Sequence, residues 1–135
     1  MKNIITKEIL DNAFTYDEFK ELINYLNKSN KTTGNIQSEK NIYFTKLNTE
    51  RVKRIEKTTV LNDELKKELD KIQSQFVILV IAEAWCGDVA QNIPPLKTIS
   101  DYNPKIEVKI ILRDDNPEIM DQFLTNGSRS IPVFY

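Results

Sequence analysis

The residues most suited to chemistry are Trp85 and Cys86, the only tryptophan and the only cysteine of the 135-residue chain. They follow an apolar run at 76–82 and open a segment with helical periodicity at 86–101. A thiol at a helix N-terminus lies near unpaired N–H groups and the positive end of the helix dipole, which favour a thiolate. The carboxylate of Asp88 opposes this effect, because it disfavours a second negative charge nearby. Cys86 is therefore a candidate nucleophile, the alternative being a small core residue.

The chain contains no histidine, which excludes several kinds of catalytic and metal site. Ser-His-Asp hydrolysis, Cys-His proteolysis and HExxH zinc sites all need histidine. A single cysteine also cannot form a disulfide within the chain or a zinc site built from several thiolates. We therefore expect neither a metal nor a cofactor, and Cys86 must act without a second thiol from its own chain.

The composition is typical of one globular domain, with 40% hydrophobic and 29% charged residues. The 19 basic and 20 acidic residues give a net charge of −1, so no strong field is available to attract nucleic acid or a membrane surface. The N-terminal sequence MKNIITKEIL lacks the apolar core of a signal peptide, and the longest apolar run is far too short to span a bilayer. A cytoplasmic location is the expectation.

The chain up to residue 75 has the pattern of helices. Thr15 and Glu18 have the spacing of a capping box, and the helix that they begin carries one apolar face. A polar segment at 28–41 predicts an exposed loop, a second helix is expected within 46–58, and a third is expected after Asn62. The apolar face should dock on the rest of the chain, since an isolated amphipathic helix is marginal in water. Its members are Phe14, Phe19, Leu22, Ile23 and Leu26.

After residue 75 the pattern changes to alternating strands and helices. The predicted order is a strand at 76–82, a helix at 86–101, a strand at 106–112, a short helix at 116–127 and the start of a strand at 132–135. Asn116 is predicted to cap the short helix and Asn126-Gly127 to close it. The first two strands should be parallel. Cys86 then lies beyond the carboxyl end of a central strand, where the chemistry of open α/β sheets is concentrated.

The residues around Cys86 resemble those of the thioredoxin family. The matches are, in chain order, Trp85-Cys86-Gly87, Pro94, Asp115-Asn116-Pro117, and then Gly127, Arg129, Ile131 and Pro132. The resemblance covers 60–135 and implies a three-layer α/β/α thioredoxin fold in which a cis peptide bond before Pro132 faces the thiol. It also implies that this domain is truncated, lacking the last strand and helix of the fold, and that 1–59 form a helical N-terminal extension packed on the core.

Two residues depart from the family motif W-C-G-P-C. Asp88 replaces the motif proline, and Val89 replaces the second, resolving cysteine. Val80 also stands where the family often has a buried acid that handles protons. The phrases EAWCGD, QNIP, ILRD and NGSRSIP look most like a bacterial thioredoxin-like branch with a helical N-terminal extension.

The resemblance implies monothiol thiol–disulfide exchange or redox sensing in cell redox homeostasis, with Cys86 as the catalytic residue. Without a resolving thiol, a mixed disulfide would persist until an external thiol released it. The implied partners are protein thiols or disulfides and a low-molecular-weight thiol such as glutathione. The alternative is a thioredoxin-fold binding module without turnover, since the fold alone does not decide between the two. The implied contact residues are Trp85, Gly87, Asp88, Ile131 and Pro132.

The remaining charged residues near these motifs are predicted to have structural roles. Glu83 and Asp88 are expected to be solvated or to cap the helix, rather than to act as an acid–base pair. Arg129 is expected to be a surface charge. A basic cluster with acidic neighbours predicts a solvated helix face rather than a nucleic-acid site; its members are Arg51, Lys53, Arg54 and Lys57.

Overall fold

The computed structural model describes residues 4–135. Its N-terminal part contains the helices α1 (Lys7–Asn12), α2 (Tyr16–Lys28), α3 (Glu39–Thr58) and α4 (Asp63–Asp70). Strands and helices then alternate as β1 (Phe76–Ala82), α5 (Gly87–Tyr102), β2 (Ile106–Leu112), α6 (Pro117–Met120) and β3 (Val133–Phe134). None of the helices in the described residues combines the length and the apolar surface that a membrane crossing requires.

The sheet has the order β2-β1-β3, with β1 in the centre. β1 and β2 are parallel, with Val80 opposite Ile110. β3 is antiparallel to β1 and places Val133 opposite Ile81. The Ile131–Pro132 peptide bond is cis. The predicted parallel pairing and the cis peptide bond implied by the resemblance are both confirmed.

Successive residues of β1 point to opposite faces of the sheet and enter two separate cores. On one face Val80 packs with α2 and α5, whose buried side chains include Phe19 and Ile93. On the other face Ile81 packs with Met120 of α6. Val80, Ile81 and Met120 are completely inaccessible to solvent. Helices therefore cover both faces of the sheet, which gives the three layers that the sequence predicted.

The N-terminal helices pack on this sheet. Thr15 and Glu18 form the predicted capping box at the start of α2. Phe14, just before it, exchanges two backbone hydrogen bonds of 2.8 Å with Ile110 of β2. Leu26 is not part of the core cluster of this face. The expected docking of the apolar face is confirmed for its other members, Phe14, Phe19, Leu22 and Ile23.

The segment predicted at 28–41 as an exposed loop connects α2 with α3 and is mostly exposed, as predicted, but two of its threonines are buried. Thr32 and Thr33 are only 3% and 4% exposed. The hydroxyl of Thr32 shares a hydrogen bond with the hydroxyl of Thr45 in α3. The backbone N–H of Thr32 donates to the side chain of Gln37. A polar segment can be buried when its polar groups find such partners, which composition does not reveal.

Helix α3 is longer than predicted. It begins at Glu39 rather than within 46–58, because the Ser38 hydroxyl caps it by accepting a backbone N–H of the first turn. The helix packs against α5. This packing brings Asn48 and Arg51 of α3 to the start of α5, the end of the helix at which Cys86 lies.

The short helix predicted at 116–127 is confirmed only for its first turn, α6. Asn126 and Gly127 have φ angles of 50° and 80° and form a separate turn instead of closing the helix. Asn116 does not cap α6 with its side chain either. Its amide group donates instead to the backbone carbonyl of Leu112 at 2.8 Å, which ties the start of α6 to the end of β2.

Candidate thiol site

Cys86 lies between β1 and α5 and is the N-cap residue of α5. Its side chain makes no capping hydrogen bond and is half-buried. The Sγ atom lies 3.7 Å from the carbonyl oxygen of Ile131, a distance at which the thiol donates a weak hydrogen bond. The structure therefore brings Cys86 next to the Ile131–Pro132 bond, as the sequence predicted.

The first turn of α5 carries an exposed side chain followed by a buried one. Asp88 is exposed, in agreement with the expectation of a solvated group. Val89 is only 2% exposed and belongs to the core shared with α2. Residues three apart are neighbours on a helix, so Val89 follows Cys86 on the same side. The side chain placed best to resolve a mixed disulfide is therefore a hydrocarbon.

Trp85 is flanked by a guanidinium group. The Cζ atom of Arg113 lies 5.1 Å from the centroid of the indole ring, a cation–π contact. Arg113 is paired with Asp114, whose Oδ1 lies 2.9 Å from the Arg113 Nε. Its Nη1 also donates to the backbone carbonyl of Arg129 at 3.3 Å. Arg129 itself is exposed, as predicted, and pairs with Asp121. Both cations on this side of the site are therefore neutralised.

A second guanidinium group reaches the site from α3. Arg51 lies against Gly87, where an added Cβ atom would be 2.7 Å from the Arg51 Nη1. The same Nη1 donates to Oδ1 of Asn48 at 3.0 Å. The buried Asn48 in turn donates its amide N–H to the carbonyl of Ala84 at 2.9 Å. Arg51 is therefore half-buried, and the prediction of a solvated helix face is wrong for it; that prediction is correct for the exposed residues Lys53, Arg54 and Lys57.

Glu83 is fully buried, so the expectation of a solvated or capping group is wrong for this residue. Its Oε1 accepts the backbone N–H of Asp114 at 2.9 Å, and its Oε2 has no hydrogen-bond partner among the described residues. Burial raises the pKa of Glu83, and this effect exceeds the opposing influence of the Thr33 hydroxyl and the Asp114 N–H. The folded protein therefore favours the neutral carboxylic acid more than an exposed glutamate would.

Residues 32–35, which we call the docking segment, connect α2 with α3 and contact the loops around the thiol. The hydroxyl of Thr33 accepts the backbone N–H of Ala84 at 2.8 Å. The backbone N–H of Asn35 donates to Oδ2 of Asp114 at 2.8 Å. The docking segment thus binds both the loop that leads from β1 to α5 and the loop that follows β2.

Gly34 in this segment lies between the two carboxyl groups. An added Cβ atom would be 2.7 Å from Oδ2 of Asp114 and 3.1 Å from Oε2 of Glu83. Burial opposes a charge on Asp114, but the N–H of Asn35 and the guanidinium of Arg113 outweigh it, and the pKa of Asp114 is lowered. Glu83 is thus biased towards its neutral form and Asp114 towards its charged form.

Replacing Glu83 by glutamine is expected to make the stability of the fold less dependent on pH. Because the pKa of Glu83 is raised in the folded state above its usual 4.5, the stabilisation by the neutral carboxyl is complete below that value. It is lost as the pH rises through the folded pKa. Glutamine does not ionise and therefore does not lose this stabilisation. As the pH rises, the free energy of unfolding of the variant should increase relative to that of wild type. Urea unfolding between about pH 4 and pH 8 measures the difference.

The matched control is Glu21→Gln on the exposed side of α2. This change removes the same charge without removing a buried carboxyl, so its effect on the pH dependence should be small. If Glu83→Gln and wild type show parallel pH profiles, Glu83 does not carry the pH dependence assigned to it.

This arrangement of sheet, thiol and proline loop can be compared with known proteins. The family model described as thioredoxin matches residues 34–135, more than half of the chain. The chain belongs to this thioredoxin family. The matched range contains the whole sheet and Cys86, and the thioredoxin-like fold inferred from the sequence is confirmed for this family member.

Two solved structures are similar to this thioredoxin-family chain. A crystal structure of a protein of unknown function from Pseudomonas aeruginosa has a TM-score of 0.67 and 20% identity, over 99% of this chain and 69% of that chain. An HIV epitope-scaffold has a TM-score of 0.66 and 21% identity, over 94% of this chain and 66% of that chain. The chain therefore spans about two thirds of the length of each, and identities this low show the fold alone. A search of curated proteins gives no match.

Three residues of the site were not identified from the sequence of this thioredoxin-family member: Asn48, Arg51 and Arg113. Asn48 and Arg51 are three residues apart and therefore share a helix face, but nothing in the local sequence indicates that α5 covers that face. Arg113 follows β2 directly, at the edge of the sheet where Cys86 also lies. That position was the one available signal for Arg113.

Proposed function

We propose that this thioredoxin-family protein carries out monothiol thiol–disulfide exchange, with Cys86 as the catalytic residue. The observation that carries the proposal is the position of the Cys86 Sγ, at the N-cap of α5 and 3.7 Å from the Ile131 carbonyl. No capping bond occupies the thiol. Cys86 directly precedes the first turn of α5, whose backbone N–H groups have no partner within the helix.

In the proposed reaction the Cys86 thiolate attacks one sulfur of a disulfide. A new S–S bond forms to Cys86, the old S–S bond breaks, and the other sulfur leaves as a thiolate that takes a proton from solvent. An external thiol then attacks the mixed disulfide and releases Cys86. Val89 has no thiol with which to perform this second step, so the mixed disulfide should persist until such a thiol is supplied.

The surface around the thiol is assigned to the disulfide partner. Asp88 on this surface is exposed, and its other members are partly exposed: Trp85, Gly87, Ile131 and Pro132. The partners are protein thiols or disulfides, together with a low-molecular-weight thiol such as glutathione. In this proposal the chain represents a single-cysteine W-C-G-D-V branch of its family that has a helical N-terminal extension and acts in the cytoplasm of bacteria, in redox homeostasis.

Replacing Cys86 by serine is expected to abolish the mixed disulfide that wild type forms with oxidised glutathione near neutral pH. Serine keeps the shape of the side chain but removes the nucleophilic sulfur. Intact-protein mass spectrometry measures the adduct, and added reduced glutathione should remove it from wild type. The rate of thiol alkylation in folded and urea-unfolded wild type provides the internal reference.

The proposal requires the folded protein to react faster than the unfolded chain, because the surroundings of Cys86 are held to activate it. A folded thiol that reacts more slowly than the unfolded one, without any glutathione adduct, would instead support a thioredoxin-fold binding module.

A further inference from the structure

We propose that Arg51 selects anionic low-molecular-weight disulfides for the reaction at Cys86. The inference rests on the proposed thiol–disulfide exchange and names the substrate class of the same site. It begins from the contact between the Arg51 guanidinium and Gly87, the residue that follows Cys86. Arg51 comes from α3, outside the strands and helix that carry the thiol.

The charge of Arg51 is not neutralised within the described part of the chain. Arg113 pairs with Asp114 and Arg129 pairs with Asp121, but no carboxylate of residues 4–135 forms an ion pair with Arg51. Its only hydrogen bond among the described residues goes to the neutral amide of Asn48. A guanidinium has five N–H donors in a planar fork that suits a carboxylate. Most of the donors of Arg51 therefore remain open for an anion.

The guanidinium is also held in place before any substrate arrives. Asn48 is 3% exposed and bridges the Arg51 Nη1 and the carbonyl of Ala84, at 3.0 and 2.9 Å. Gly87 leaves the space that the guanidinium fills, since a Cβ there would approach Nη1 to 2.7 Å. A cation fixed in this way loses less conformational entropy on binding an anion than a free surface side chain does.

These features give the two sides of the thiol different charge. On the Trp85 side, Arg113 is paired with a carboxylate. On the Gly87 side, Arg51 has no carboxylate partner in the part of the chain that the structure describes, although the exposed carboxylate of Asp88 is one residue further along α5. Because Gly87 directly follows Cys86, a disulfide whose carboxylate binds Arg51 is proposed to bring its sulfur to Cys86. Arg51 forms no bond in the exchange reaction, so it is a specificity-determining residue rather than a catalytic one.

The test compares three aliphatic disulfides of similar size and different charge: dithiodipropionate, which is anionic, bis(hydroxyethyl) disulfide, which is neutral, and cystamine, which is cationic. The measured quantity is the rate of mixed-disulfide formation at Cys86, expressed as the ratio of the anionic to the neutral reagent. Arg51→Gln should lower this ratio roughly tenfold, as expected for the loss of one close, partly screened charge. The matched control, Arg54→Gln, removes an exposed arginine of the same helix and should leave the ratio unchanged.

Two further measurements separate charge recognition from a structural role. Arg51→Lys should keep part of the preference, because the charge remains while the planar fork is lost. High salt should lower the ratio in wild type and have little effect on it in Arg51→Gln, because screening acts only where the charge is present. Both ratios are internal to one protein sample, so a general loss of stability cancels.

The outcomes distinguish this inference from the function on which it rests. If wild type reacts with the neutral disulfide but shows no salt-sensitive preference for the anionic one, the role of Arg51 is refuted and the exchange reaction stands. An equal fall of the ratio in Arg51→Gln and Arg54→Gln would also refute it, since it would show a nonspecific field. If wild type reacts with none of the three, the proposed function itself fails.

Discussion

Replacing Val89 by cysteine is expected to turn a persistent mixed disulfide on Cys86 into a short-lived one. Position 89 is three residues after Cys86 on the same side of α5, and its side chain is 2% exposed. A thiol held there attacks as part of the same molecule, which should shorten the lifetime of the adduct by at least about a hundredfold. The packing cost should be small, about 1 kcal/mol, because cysteine is only slightly smaller than valine.

The lifetime is measured by forming the glutathione adduct, removing excess reagent and following the intact mass with time. Val89→Ser is the matched control, since serine is similar in size to cysteine but carries a hydroxyl group instead of a thiol. The variant with cysteine should end as an internal disulfide, whereas wild type and the serine variant keep the adduct. An equally long-lived adduct in Val89→Cys would show that the two side chains do not meet as the helix geometry requires.

Replacing Gly34 by alanine is expected to lower the free energy of unfolding by about 3 kcal/mol. Its φ of 88° is strained for any residue with a Cβ atom. The new atom would also approach Asp114 Oδ2 to 2.7 Å and Glu83 Oε2 to 3.1 Å. Neither carboxyl can move freely, because Asp114 is bound by the N–H of Asn35 and Glu83 is buried. Urea unfolding at neutral pH measures the loss.

Gly127 provides a closely matched control for this substitution. Its φ is 80°, almost the same as that of Gly34, but no atom lies within 4 Å of the Cβ that alanine would add. Gly127→Ala should therefore cost only the backbone strain, about 1 kcal/mol. Equal losses in the two variants would mean that the docking segment yields to the added atom, and that its contacts with Glu83 and Asp114 are loose.

The strands and α5 were predictable because their signals are local. The apolar run of β1, the alternation of β2 and the capping residues of α2 each depend on neighbours within a few positions. The ordered matches around Cys86 and Pro132 added the fold and the cis peptide bond. Helix ends were less predictable, as α6 shows. The Asn116 side chain does not cap this helix but donates its amide N–H to the Leu112 carbonyl, a contact that depends on where β2 ends.

The remaining contacts of the site join residues that lie far apart in the sequence, and these contacts were not predictable. Glu83 looked like a solvated carboxylate because nothing near it indicates that Gly34 and Thr33 will cover it. Asn48 and Ala84 are 36 residues apart, and no pattern in either segment indicates that they pair. Arg51 was assigned to a solvated face for the same reason, since its acidic neighbours are close in the sequence but do not pair with it.

Ala84, just before the thiol, uses both of its backbone groups to bind side chains that are synthesised long before it. Its N–H donates to Thr33 and its carbonyl accepts from Asn48, at separations of 51 and 36 residues. While the ribosome adds the residues in between, the Thr33 hydroxyl and the amide N–H of Asn48 lack the Ala84 groups that they bind in the fold, and the apolar face of α2 has no sheet to cover. Long-range contacts of this kind form late. The surroundings of the cysteine are therefore complete only after the chain has been synthesised beyond Ala84, because they join segments that lie far apart in the sequence.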